Sequence, residues 1–118
     1  MRFVQEIRWV KISNNASDFS IQIKEKSIFR ITVGKKDICL TRYGDELFAF
    51  KNLCPHQLQP LNDGYCTDDK KIVCKWHRFA FDLHNGKGCN LALETYPLKT
   101  EENRIYIGFE ETCFKFFG

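Results

Sequence analysis

A chain of 118 residues with 28% charged side chains and a formal charge of +3 has the size of one domain with a modest core. Its charge is small and spread along the chain, which excludes a basic nucleic-acid footprint, and its ordinary apolar content excludes wholesale disorder. No apolar run approaches the roughly 18 residues of a membrane span.

The N-terminal MRFVQEIRWVKIS alternates polar and apolar residues, where a signal peptide would be continuously apolar. A soluble, cytoplasmic protein is expected, with no membrane and no nucleic acid among its partners. The six cysteines therefore point toward metal rather than toward the disulfide framework of a secreted domain.

Strand patterning dominates from residue 27 onward. SIFRITV (27–33) and KKDICLTRY (35–43) alternate, the second with Ile38, Leu40 and Arg42 on one face and Cys39 and Thr41 on the other. Gly34-Lys35 and Gly44-Asp45 read as hairpin turns. ELFAFKN (46–52) sets Leu47 and Ala49 opposite Phe48 and Phe50. The turn NDG (62–64) leads into a short strand at 64–66, and TDD (67–69) turns into KKIVCKW (70–76). RFAFDL (78–83) alternates and is followed by the hairpin signal Asn85-Gly86. LETYPLKT (93–100) and RIYIGFEE (104–111) flank a turn at Glu101-Glu102-Asn103. Short strands separated by turn residues predict an all-β antiparallel sandwich or partly open barrel, one domain over 1–118.

The chemistry is concentrated in CPHQLQPLNDGYCTDDKKIVCKWH, residues 54–77. Cys54 and His56 are one residue apart, Cys74 and His77 two apart, and seventeen residues lie between the pairs. Thiolate and imidazole suit zinc or iron–sulfur centres, whereas calcium and magnesium require oxygen. Zinc fingers pair cysteine with cysteine and histidine with histidine. Mixed pairs on two separate loops suit a two-iron cluster, with a zinc-stabilised interaction module as the competing class.

The spacing C-x-H, seventeen residues, C-x-x-H resembles the Rieske family. Pro60-Leu61 and Gly64 after the first pair, and FAFDLHNGKG after the second, are similar to the surroundings of its cluster loops. The resemblance covers about residues 28–109 and implies a Rieske-like fold with two cluster-binding loops, about 53–64 and 74–84, at one end. It implies one [2Fe-2S] cluster per chain, with Cys54 and Cys74 on one iron and His56 and His77 on the other. The histidines would bind through Nδ1, leaving Nε2 near solvent. The charges of such a centre sum to zero when oxidised and to one negative charge when reduced. The reduced form holds the imidazole protons more tightly, so the potential is expected to fall as rising pH removes them.

Neighbouring residues discriminate within the family. Respiratory members brace their loops with a disulfide whose positions here are Gln59 and Trp76, so it cannot form. They also place hydroxyls near the cluster where this chain has Phe79 and Phe81. Fewer hydrogen bonds to sulfur leave the reduced state less stabilised, which implies the lower part of a range of roughly −150 to +300 mV. Arg78 stands where the family usually has glycine, so a positive φ there would carry strain. Lys51, Lys75 and Arg78 read first as solvated charges and second as a steering surface for an acidic partner.

His84, beside a turn, is expected to be exposed and not a ligand. Cys39 and Cys113 read as buried strand thiols, Cys66 and Cys89 as neighbours of the cluster without a role, and Phe114, Phe116 and Phe117 as packing. The resemblance implies a one-electron carrier rather than an enzyme. It would pass electrons from a reductase to an oxygenase-like acceptor, and a monomer is expected. The alternative is a small Rieske subunit of a nitrite reductase or other multicomponent oxidoreductase. A terminal oxygenase would need a second domain for mononuclear iron, for which 118 residues leave no room.

Overall fold

The computed structural model describes residues 2–13, 23–56, 58–76 and 78–115, with 113–115 described through their backbone alone. Alternating and β-branched residues put every described element into strands: β1 (Arg2–Ser13), β2 (Phe29–Val33), β3 (Lys36–Tyr43), β4 (Glu46–Lys51), β5 (Tyr65–Cys66) and β6 (Lys71–Val73). They continue as β7 (Ala80–Asp82), β8 (Lys87–Gly88), β9 (Leu91–Ala92), β10 (Thr95–Tyr96), β11 (Leu98–Glu101) and β12 (Arg104–Lys115). Four antiparallel sheets result, with strand orders β1-β12-β11, β10-β4-β3-β2, β5-β6-β7 and β8-β9. Among the described residues no helix is long and apolar enough to cross a membrane.

The four-stranded sheet lies in the middle and is covered on both faces. Ile38, Leu40 and Ala49 pack with Ile105, Ile107 and Phe109 of β12 in one core. Cys39, Phe48 and Phe50 point the other way, into a second core with Cys54, Leu61, Ile72, Cys74 and Phe81. Covering on both sides explains why Ile38, Cys39, Leu40 and Thr41 are buried in succession although the strand alternates. The face assignments read from the sequence for β3 and β4 hold.

The turns at Gly34-Lys35 and Gly44-Asp45 close β2–β3 and β3–β4 as expected, with Gly34 and Gly44 both at φ 62°. Two further turns use no glycine. Cys89 (φ 53°) and Asn90 (φ 61°) join β8 to β9, and Glu102 (φ 52°) and Asn103 (φ 62°) join β11 to β12. Successive left-handed residues match the twist of the flanking strands. Asn85-Gly86 closes no β7–β8 ladder. It redirects the chain from β7, paired with β6, to β8, paired with β9.

The single strand expected over 93–100 is two strands. Pro97 lacks an N–H for either ladder, and the chain changes sheets there, β10 pairing with β4 and β11 with β12. The expected strand at 70–76 ends at Val73 and that at 78–83 begins at Ala80. The largest difference is β1, which the sequence reading left unassigned. It pairs with β12 from Arg2↔Lys115 to Ser13↔Ile105, with one irregularity between Lys11 and Ser13. The side chains of Cys113 and Phe114, and all of Phe116 and Phe117, lie outside the described residues.

A methyl group separates two kinds of glycine here. A Cβ on Gly86 (φ +75°) would lie 1.9 Å from the Leu93 carbonyl oxygen, whereas one on Gly34 (φ +62°) would meet nothing within 4 Å. Gly34→Ala should therefore cost about 1 kcal/mol, from φ alone. Gly86→Ala should cost about 3 kcal/mol or more, because backbone must move. Urea unfolding of the two variants side by side checks the difference.

Candidate metal centre

Cys54 sits three residues beyond β4, and Cys74 follows β6 directly. Both thiols are fully buried, in one apolar cluster with Leu61, Ile72 and Phe81. The two loops repeat one backbone design. The Cys54 N–H donates to the Gln59 carbonyl at 2.7 Å, and the Leu58 N–H donates back to the Cys54 carbonyl at 2.8 Å. In the second loop Cys74 donates to Phe79 at 2.9 Å and receives from Arg78 at 2.9 Å. The fifth residue of each turn is left-handed, Leu58 and Arg78 alike at φ 56°. The strain anticipated at Arg78 is present, and Leu58, which nothing in the sequence singled out, shares it.

Several contacts hold the turns against each other. A Cβ on Gly64 would lie 2.1 Å from the Val73 carbonyl oxygen, so only glycine lets the end of the first loop cross the residue before Cys74. Tyr65 then pairs with Val73 and Cys66 with Ile72. The rings of His56 and Phe79 meet at 4.2 Å between centroids, inclined by 56°. His56 is exposed, and so are Leu58 and Trp76 at 69% and 59%. Lys75 and Arg78 are exposed on the second loop. His77, the second histidine of the motif, lies outside the described residues.

The first loop is anchored by a side chain absent from the sequence reading. Asn52, almost fully buried, accepts the Leu61 and Asn62 N–H groups on Oδ1, each at 2.8 Å. Its Nδ2 donates to Asn62 Oδ1 at 2.9 Å and to Asp37 Oδ2 at 3.1 Å. Asp37 in turn receives a bidentate pair from Arg30, both bonds 2.8 Å. The Arg30 hydrogen bond holds the Asp37 carboxyl below the usual carboxylate range, against partial burial and with help from Asn52. That contribution is present at neutral pH and down to about pH 4, then lost as pH falls through the lowered value.

Of the other described cysteines, Cys39, Cys66 and Cys89 are free thiols. Burial pushes the Cys39 thiol up to about 12 and raises that of Cys66, which donates to Thr41 Oγ1 at 3.5 Å. Cys66 packs against the core that holds Cys54 and Cys74, whereas Cys89 is exposed in its hairpin turn. His84 is exposed as expected, with its ring edge on Phe48 and its nitrogens 3.4 Å from Asp82 and 3.7 Å from Glu46.

Residues 13–100 match the model of the Rieske [2Fe-2S] domain. The chain belongs to the Rieske family. It is 35% identical over 81 residues to the ferredoxin component of an alkene monooxygenase system of Xanthobacter autotrophicus, covering 66% of each chain. It is 33% identical over 89 residues to the ferredoxin component of the naphthalene 1,2-dioxygenase system of Pseudomonas putida, covering 72% of this chain and 85% of that one. Among solved structures, the ferredoxin of carbazole 1,9a-dioxygenase from Nocardioides aromaticivorans superposes with a TM-score of 0.71 at 23% identity, over 83% of this chain and 96% of that one. A chain in the complex of reduced oxygenase and oxidized ferredoxin of carbazole 1,9a-dioxygenase superposes with a TM-score of 0.68 at 27% identity, over 84% of this chain and 91% of that one.

A Rieske domain implies a [2Fe-2S] cluster, and the residues present fit one. Two buried cysteine side chains are shielded from water by apolar neighbours, and an imidazole lies on the same pair of turns. Among the described residues no three His, Cys, Asp or Glu side chains converge on one point. A two-iron centre takes only two protein side chains per metal, so such convergence is not its mark.

Removing the Asn52 amide would leave the Leu61 and Asn62 N–H groups without an acceptor. Asn52→Ala should cost about 2–4 kcal/mol and speed loss of the bound cluster. Chemical unfolding and the decay of visible absorbance under a chelator measure the two effects.

Proposed function

We propose that this chain is a soluble one-electron carrier, the ferredoxin component of an oxygenase system, with one [2Fe-2S] cluster per chain. The observation that carries the reading is the pair of fully buried cysteines, Cys54 and Cys74, at the roots of matched turns. These two would hold one iron, and His56 and His77 the other. Bound there, the cluster stores a single electron at a potential above that of all-cysteine clusters. The names of the relatives, ferredoxin components of monooxygenase and dioxygenase systems, support a reductase as donor and an oxygenase as acceptor.

The side chains divide the work. Leu61, Ile72 and Phe81 keep water from the thiol side of the site. His56 is exposed at the tip, which gives the electron a short exit. Leu58 and Trp76 offer apolar contact beside it, and Lys75 and Arg78 supply positive charge that suits an acidic partner. Lys51 is less available for steering, since it lies 3.8 Å from Glu94. A cytoplasmic location goes with this role.

Phe81 is fully buried and Phe79 half-buried, and neither has a hydroxyl to donate to sulfur. The midpoint potential should therefore lie below about +150 mV, as a redox titration will show. Phe81→Tyr should raise it by on the order of 40 mV, the effect of one net hydrogen bond of about 1 kcal/mol on a one-electron couple. Anaerobic titration with dithionite should take up one electron per chain and bleach a red-brown colour. A colourless, zinc-loaded protein that takes up none would replace the carrier with an interaction module. Lys75→Glu should slow electron delivery to the oxygenase at low salt and make little difference at high salt. Equal rates at low salt would remove steering from the reading.

A further inference from the structure

The strand β1 is the outer member of the sheet β1-β12-β11, and among the described residues no strand pairs with its free side. It is 12 residues long, whereas exposed edges are usually short, interrupted by proline or bulged. Its one irregularity lies at the far end, between Lys11 and Ser13. Of residues 2–8 only Val4 is half-buried, while Phe3 and Ile7 are 70% and 46% exposed. Residues 2–12 also lie outside the stretch that matches the family model, 13–100.

We infer that the outer edge of β1 is an interaction surface for a second copy of this chain, the two β1 strands pairing antiparallel about a two-fold axis through Ile7. Two-fold symmetry in an antiparallel ladder places one residue opposite its own copy and sets the register of all the others. Centring on Glu6 or Arg8 brings like charges together on the axis. Centring on Gln5 sets Arg8 against Arg2. Centring on Val4 matches Arg2 with Glu6 but limits the ladder to residues 2–6. Centring on Ile7 sets Glu6 opposite Arg8 twice, Val4 opposite Val10 twice and Ile7 against Ile7, with Phe3 opposite Lys11, over the whole of residues 2–12.

The charges that would guard this edge against other strands are thus arranged to accept its own copy. Arg8 already reaches Glu111 across the ladder at 2.5 Å and lies over the Phe109 ring at 5.5 Å. Its guanidinium has five N–H donors, enough to serve Glu111 and Glu6 of the second copy together. The product is one continuous sheet of order β11-β12-β1-β1-β12-β11. This departs from the monomer that the sequence suggested.

Sedimentation equilibrium of the cluster-loaded protein tests the pairing. The natural sequence should sediment at twice the mass of one chain at micromolar concentration. Glu6→Arg and Arg8→Glu should each sediment as single chains, their dissociation constants raised about tenfold or more. Mixing these two variants should restore the dimer, because every facing pair is then again of opposite charge. The double variant carrying both substitutions should dimerise by itself for the same reason, which separates lost pairing from lost folding. A natural chain that stays single up to about 100 μM overturns the inference. So does a dimer that both single variants leave intact, or a mixture that remains monomeric.

Discussion

The reciprocal backbone hydrogen bonds that close the two six-residue turns are the interaction on which the functional end of the molecule depends. In each turn a cysteine gives its N–H to the residue five positions on and receives an N–H from the residue four positions on. The cysteine thereby becomes the root of the turn, with its side chain in the core, while His56, Leu58, Lys75, Trp76 and Arg78 at the crowns face solvent. His56 is placed at the surface by the same bonds that bury Cys54. Burial of sulfur and exposure of imidazole are two consequences of one loop geometry.

That geometry has a cost that the surroundings offset. A left-handed non-glycine residue loses roughly 1–2 kcal/mol, and both Leu58 and Arg78 adopt that conformation. The compensation comes from elsewhere: the Asn52 carboxamide with its four partners, the backbone contact that Gly64 permits, and the ring of His56 on Phe79. Asn52 is tied through Asp37 to Arg30 on β2, so the first loop is referenced to the far strand of the middle sheet. Holding strained crowns on a rigid base suits a site whose geometry should not change between redox states.

Much of this was legible in the residues themselves, and the illegible parts share a cause. Alternation in β3 and β4 assigned their faces correctly, because side-chain direction in a strand depends only on local parity. Gly34 and Gly44 marked their turns because a positive φ favours glycine. The spacing of Cys54, His56, Cys74 and His77 pointed to the Rieske family, to which the chain belongs. Leu58 gave no sign, since nothing in a leucine announces a left-handed backbone. Asn52 was silent because its partners, Asp37 and Leu61–Asn62, are distant in sequence and an amide has no period. The β1–β12 ribbon joins the two ends of the described chain: the polar–apolar alternation at the N-terminus suits a strand, but its distant partner leaves no local mark. Pro97 could have been read as a break between β10 and β11, but its neighbours alternate across it.

The layered arrangement separates two demands that would otherwise compete. The two cysteine turns pack on the face of the middle sheet that presents Cys39, Phe48 and Phe50, and β12 packs on the face that presents Ile38, Leu40 and Ala49. A partner at the crown meets Leu58, Trp76, Lys75 and Arg78, whereas anything that pairs with β1 meets a backbone edge on the sheet covering the opposite face. The middle sheet, buried on both sides, keeps the two surfaces mechanically apart. An electron carrier must release its partners quickly, which favours a small, charged and partly apolar contact at the tip. A lasting assembly needs the long ladder of a strand edge instead. This fold has room for both because the two cysteine turns and β1 pack against opposite faces of the middle sheet.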